Sequence, residues 1–424
     1  MRPRTRLGWR IGLAVAVAAA SVPARAQDGG TDLFGPETLS VNGDIRLVAA
    51  DGEQAWIDGG FGKARFGGAT GGELKVRPEP VEADLVWQPR IGWALTGTVV
   101  ATVQHGQQHP VDLSEAFVTY KPLLGQTKIA VRAGLFWPPV SLEHSGSDWH
   151  VTDTITPSAI NAWIGEEVKV GGVETTVSAP LGAHRVAVTL ALFGWNDTAG
   201  TLLALRGWTL HDEKVTAFGL QPLPRLSGFW ARVQAPGTRP VLEIDHKPGW
   251  YAKLSWSPTQ AIEVQAFRYD NRADPEAMTS ARQWGWYTEF DALAAVAALP
   301  AVEFKAQAMR GRTQMGFVNA STGLIWVDTK FEAAYLMATH HFARGSISVR
   351  AEAFGTRNSG SKLGANWNED CWALTGGVRR ELGPHLTVLG EIEHIDSRKQ
   401  ARDTIGVAPH QAQTIAQLAA RLHF

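Results

Sequence analysis

Five residues within eleven positions, Glu143, His144, Asp148, His150 and Asp153, carry the side-chain types that ligate metals or move protons. A metal site would need three or four of them to converge on one point. The reading favoured here is polar side chains lining a wet constriction, with no metal and no cofactor. Ser145 and Ser147 lie beside His144 and His150, but no Gly-x-Ser-x-Gly surrounds them, and neighbours in sequence do not make a triad. Asp270, Asn271, Asp274 and Glu276 resemble a loose calcium loop without the EF-hand spacing or its central glycine. Glu166 and Glu167 could pair for acid–base work, yet their place at a loop-to-strand junction suits lumen or rim charges better. The chain is accordingly read as non-enzymatic, with no catalytic residue assigned.

The elements that must position these residues alternate with period two. Val41, Gly43, Ile45 and Leu47 oppose Asn42, Asp44 and Arg46; Val186, Val188, Leu190 and Leu192 oppose Arg185 and Thr189; Ile347, Val349 and Ala351 oppose Ser348, Arg350 and Glu352. Such runs are half-buried strands. Many reach about ten residues, the length needed to cross a bilayer at a tilt rather than the five or six of a globular strand. Short links (88–90, 121–126, 180–183, 210–213, 258–259, 343–345, 383–384) alternate with longer ones (50–78, 135–164, 222–248, 270–280, 314–326, 358–370, 397–410). That asymmetry predicts an all-β transmembrane antiparallel barrel with short periplasmic turns and longer outer loops. These boundaries give eighteen strands, and the expected range is sixteen to eighteen. The sheet must close because hydrocarbon offers no water to an unpaired strand edge.

Composition agrees. Charged residues are 19% of the 424, there are 44 Gly and 17 Trp against 5 Tyr, and one Cys excludes an internal disulfide. Trp87, Trp93, Trp137, Trp195, Trp208, Trp250, Trp256 and Trp326 fall near strand ends, where indoles would form interfacial girdles. Residues 1–26 read as a secretory signal peptide: Arg2, Arg4, Arg6 and Arg10, an apolar stretch from Ile11 to Val22, then Ala24-Arg25-Ala26. Residues 27–424 form the barrel domain, with 35 basic against 41 acidic residues, a formal charge of −6 that argues against nucleic acid as a partner. In the last strand Leu422 and Phe424 share one face, and an aromatic C-terminal residue on such a strand looks like the signal read by the outer-membrane barrel assembly machinery. No residues are left for a plug domain of the TonB-dependent type.

The segment Ala130 to Glu143, AVRAGLFWPPVSLE, resembles the Arg-x-Gly-x-Phe-x-Pro-Pro then Glu stretch of the phosphate-selective porin O and P family, through Arg132, Gly134, Phe136, Pro138, Pro139 and Glu143. Ser114 to Lys121 is similar to the strand entering that hairpin. The resemblance implies a trimeric barrel, usually of sixteen strands, whose long third outer loop, here 135–164, folds into the lumen. That loop contains no Lys or Arg, whereas a phosphate filter needs a ladder of them. The predicted inward wall is nearly balanced, with bases such as Arg46, Lys128 and Arg132 facing a similar number of carboxylates. Phosphate selectivity is therefore not carried over. The expectation is a homotrimeric porin in the outer membrane of a Gram-negative bacterium, seated in its lipid and passing small hydrophilic solutes or ions by diffusion. Its constriction would draw on Arg132, Glu143, His144, Asp148, His150, Asp153, Arg46 and Lys128. The alternatives are a structural or adhesive barrel without conductance and, less favoured, a barrel hydrolase.

Overall fold

A computed structural model describes residues 30–69 and 71–424; the proposed signal peptide lies outside the described residues. Sixteen long antiparallel strands follow one another around a closed barrel. They are β1 (Leu39–Ala50), β2 (Lys75–Trp87), β3 (Leu95–Gln104), β4 (Asp112–Tyr120), β5 (Thr127–Phe136), β6 (Val170–Leu181), β7 (His184–Gly194) and β8 (Gly249–Ser257). The second half comprises β9 (Ile262–Asp270), β10 (Tyr287–Ala298), β11 (Val302–Val318), β12 (Ile325–Phe342), β13 (Gly345–Asn358), β14 (Glu369–Glu381), β15 (Leu386–Lys399) and β16 (His410–His423). β1 closes on β16 in the register Asn42↔His423 to Ala50↔Ile415, so no barrel edge is left unpaired. No helix among the described residues is long and apolar enough to cross a membrane.

The outer face follows from alternation. Ile45, Leu47, Val188, Leu190, Leu192, Leu254, Leu336, Val349, Leu374 and Leu418 are all exposed, while their sequence neighbours point inward. In water such a surface would be an aggregation liability; in a bilayer it is the required solvent-facing side.

The count is sixteen and not eighteen because residues 201–209 and 214–221 form no strand of the barrel. Residues 195–248 form a single excursion containing helix α2 (Thr201–Leu205), and Leu202, Leu203, Leu205, Trp208, Leu210 and Val215 are buried inside the barrel. Their apolarity is satisfied by protein instead of lipid. The third outer loop runs from 137 to 169, five residues past the expected end, and carries helix α1 (Ala159–Glu167), every residue of which is buried. The girdle assignment also fails at Trp137 and Trp208. Both fill the lumen, where their indole N–H groups donate to Gly165 O at 3.1 Å and Gly355 O at 3.0 Å. Trp93, Trp195 and Trp256 are exposed at strand ends, as an interfacial belt requires.

Two glycines let the second inserted loop approach the wall. Gly200 has φ +101°, and a Cβ there would stand 2.1 Å from Thr313 Oγ1. Gly207 has φ +91° and would drive a Cβ into the Glu369 carboxylate. Any other residue would be strained at both positions and would push α2 off the barrel.

Candidate functional site

The lumen has two unlike sides. On one, wall residues Phe193, Tyr269, Phe290, Phe331 and Phe354 pack against Trp163 of α1 and Trp208. Trp163 sits 5.3 Å from Phe290 and 5.2 Å from Phe331, centroid to centroid, at tilted or edge angles. Nothing soluble passes through a face packed that way.

The α1 helix is pinned to the wall by carboxylates. Glu143, fully buried, accepts from Ser158 N at 2.9 Å and from Arg350 Nη1 at 3.0 Å. Glu352 accepts from Ala159 N at 2.7 Å, and Glu391 from Ile155 N at 2.7 Å. Wall acids thus satisfy the orphan N–H groups at and before the helix start. Arg350, also buried, donates to Thr156 O and Pro157 O and lies near Glu352 and Glu393.

At the other end of α1 the two paired carboxylates diverge. Burial disfavours charge on both, but Arg206 and His211 hold the Glu166 carboxyl down to about 2. Glu167 meets only neutral donors, Leu202 N at 2.9 Å and Trp163 Nε1 at 2.6 Å, and burial pushes it up to about 8. Both are interior groups, on the lumen side of the two places expected from sequence.

The opposite side of the lumen is charged and unpacked. Here a cavity of about 390 Å³ opens between the inner faces of β1, β2, β14 and β16 and the inserted loops. Four of the eight expected constriction residues meet there: Arg46, His144, Asp148 and His150. They are joined by Asp44, Glu82, Asp84, Asp212, Lys214 and Arg421. Arg46 bridges Asp44 at 2.7 Å and also Asp212, which in turn pairs with Arg65 at 3.2 Å. Lys214 lies against Glu82, within 3.2 Å of Asp84, and donates to the Asp148 backbone carbonyl at 2.7 Å, so an ammonium already stands among the acids Glu82, Asp84 and Asp148. Against the opposing effect of burial, this partner holds Asp148 well below the usual carboxylate range, and Arg46 and Arg65 do the same for Asp212. Burial, reinforced by Lys214, keeps His144 neutral, stacked 3.6 Å from the Trp149 ring.

The other four lie apart. Glu143 and Asp153 face the wall, the latter on Lys305 at 2.7 Å. Arg132 pairs with Glu174 at 3.1 Å and stacks over Phe136, and Lys128 stands exposed near the start of β5 with no ion pair among the described residues. Three acids of the third loop therefore meet a base from elsewhere, Glu143 with Arg350, Asp148 near Lys214, and Asp153 with Lys305. Sequence reasoning missed Asp212 and Lys214 because 210–213 reads as a turn between two strands, with Lys214 opening the second. Their sequence signal was the charge cluster His211-Asp212-Glu213-Lys214 beside an apolar run. At the C-terminus, Phe424 exchanges backbone hydrogen bonds of 2.9 Å with Val41 and stacks on His385, while Leu422 pairs with Gly43 in the closing seam.

No protein-family model and no curated protein matches the chain. Solved structures do. The outer membrane channel DcaP of Acinetobacter baumannii aligns over 95% of this chain and 100% of its own, with TM-score 0.57 at 12% identity. An anion-selective porin from Comamonas acidovorans aligns over 91% and 99%, with TM-score 0.52 at 10% identity. At such identities the likeness is one of fold, and the fold this chain shares with them is that of a porin-like sixteen-stranded barrel.

Proposed function

We propose that the protein is an outer-membrane porin through which small hydrophilic solutes or ions diffuse along the charged side of the lumen. The observation that supports this most is the division of the interior. Aromatic packing fixes the inserted loops on one side, while the other is left as a cavity of about 390 Å³ bordered by Asp44, Arg46, Asp84, Asp148, Asp212 and Arg421. Acids and bases facing each other across a solute path act on dipolar and charged solutes without demanding one sign. The phosphate-selective porin O and P resemblance at Arg132 to Glu143 fits a relative that kept the loop and lost the anion ladder.

Under this reading residues 1–26 direct export and are removed, Phe424 and Leu422 present the assembly signal, and the chain sits in the outer membrane of a Gram-negative bacterium. A homotrimer would use the outward face of β1–β8, which is shorter-stranded than the remainder and carries residues such as Gly171, Val173 and Val177. Purified protein in a planar bilayer should give discrete ion conductance and, in liposomes, uptake of small polar solutes. Absence of both would leave the structural barrel, a reading favoured by the depth to which 195–248 fills the lumen.

A further inference from the structure

The outer wall carries charge where a lipid-facing wall should not, and only on one half. On β1–β8 the outward residues are apolar or small, for example Ile45, Leu47, Val173, Val188, Leu190 and Leu254. Beyond β8 the strands lengthen to as many as 18 residues, and their outer ends turn charged. In one cross-strand row Glu289 faces Arg312, Arg312 faces Lys330, and Lys330 faces Arg357. In the next, Asp291 faces Arg310 and Arg310 faces Glu332, which faces Gly355.

These rows sit at the top of the apolar band. Along β13 the outward residues are Ile347, Val349, Ala351 and Ala353, then Gly355 and Arg357. Eight residues at about 3.3 Å each, tilted by about 40°, rise roughly 20 Å from Ile347 to Gly355. That is most of the apolar height of an outer-membrane barrel, so Arg310, Lys330 and Arg357 stand at headgroup level.

The row is not self-neutralised. Arg268 is held by Asp291 at 3.2 Å, Arg312 by Asp328 at 2.6 Å, and Arg357 by Asp370, which faces Gly355 from the next strand, at 2.5 Å. Lys330, flanked on both sides by arginines, and Arg310 are exposed and form no ion pair among the described residues. Like charges directly opposite on neighbouring strands repel unless an anion lies between them. Gly355 supplies no side chain on this face, and a depression of about 370 Å³ opens over it, lined by five bases and three acids.

We infer that this depression is a docking site for the phosphate groups of a phosphorylated glycolipid headgroup in the outer leaflet. Arg310 and Lys330, the two bases here without an ion pair, would donate to the phosphate oxygens, and the apolar outward residues below would meet the acyl chains. The inference rests on the membrane placement proposed above but not on conductance.

The test uses the full barrel in detergent and native mass spectrometry with two acylated diglucosamine glycolipids, one bisphosphorylated and one dephosphorylated. The bisphosphorylated form should be retained and the other lost. R310Q/K330Q should weaken retention roughly tenfold, whereas K121Q, an exposed cation at the opposite end of the barrel, should leave it unchanged. Equal retention of both glycolipids, or no effect of the double substitution, would overturn the proposal. Displacement by inorganic pyrophosphate at the glycolipid's own concentration would also overturn it, by assigning the groove to a free phosphate. Bilayer conductance of the same sample reads the lumen alone, so a non-conducting barrel that retains glycolipid rejects the channel and keeps the groove. A chain that stays monodisperse without detergent rejects both.

Discussion

The aromatic and charged sides of the lumen are built by the same alternating strands and serve opposite ends. Phe290, Phe331 and Phe354 use the inward positions of β10, β12 and β13 to grip Trp163 and Trp208, and little space remains among them. Asp44, Arg46, Asp84 and Arg421 use the inward positions of β1, β2 and β16 and leave a cavity. Van der Waals packing rewards contact on the first side, while charged groups on the second keep water and one another as partners. The contrast shows that inserted loops can be held by packing on one side of the lumen and still leave a cavity on the other.

The largest effect is expected at Trp163, which is fully buried. Trp163→Ala should destabilise the inserted loop by about 3–5 kcal/mol. It should appear as higher conductance and earlier proteolysis within 137–169 while the barrel itself stays heat-resistant. A conductance equal to wild type would show that the aromatic side does not hold the loop.

Arg350→Ala should cost nearly as much, about 3–5 kcal/mol, because it strands the buried Glu143 carboxylate and the Thr156 and Pro157 carbonyls. Arg350→Met paired with Glu143→Gln should recover most of that loss. Thermal unfolding in detergent distinguishes the two variants.

A pH dependence should come next. Burial pushes Glu167 up to about 8 and Glu213 to about 7, above the carboxyl's usual value near 4.3. The folded loops therefore bind these protons more tightly than the unfolded chain does. Their stabilisation is complete below about pH 4.3 and is lost as pH rises through about 8. Conductance noise from loop motion should accordingly grow between about pH 4.3 and 8, and Glu167→Gln should flatten that rise; an unchanged profile in the variant would show that Glu167 does not set it.

The smallest effect is expected on the charged side. Asp212→Asn leaves Arg46 and Arg65 with one fewer counter-charge. Reversal potentials under a salt gradient should move toward anions by roughly two- to fivefold in permeability ratio, less at high salt. Movement toward cations would place the ion path elsewhere.

The barrel was legible in the sequence because period two is a direct consequence of a wall with lipid on one face, as at Val186 to Leu192. The inserted third loop was legible through its resemblance at Arg132 to Glu143. The fourth was not, since Leu202 to Leu205 reads alike whether lipid or a barrel interior covers it. Trp137 and Trp208 misled for the same reason: an indole near a strand end suits both an interface and an inward-turning loop. Of the charged side, the wall residues followed from parity, but their pairing with Asp212 and Lys214 depended on a loop whose path no local pattern encodes.

Solutes that use the charged side would pass His150 and Asp212. The most direct test places a cysteine at His150, which is partly exposed to the cavity, and applies a charged thiol reagent during bilayer recording. The native Cys371 is buried and serves as its own control. A stepwise block of current is expected in the His150→Cys protein and none in wild type; full conductance after complete modification would place the solute path elsewhere.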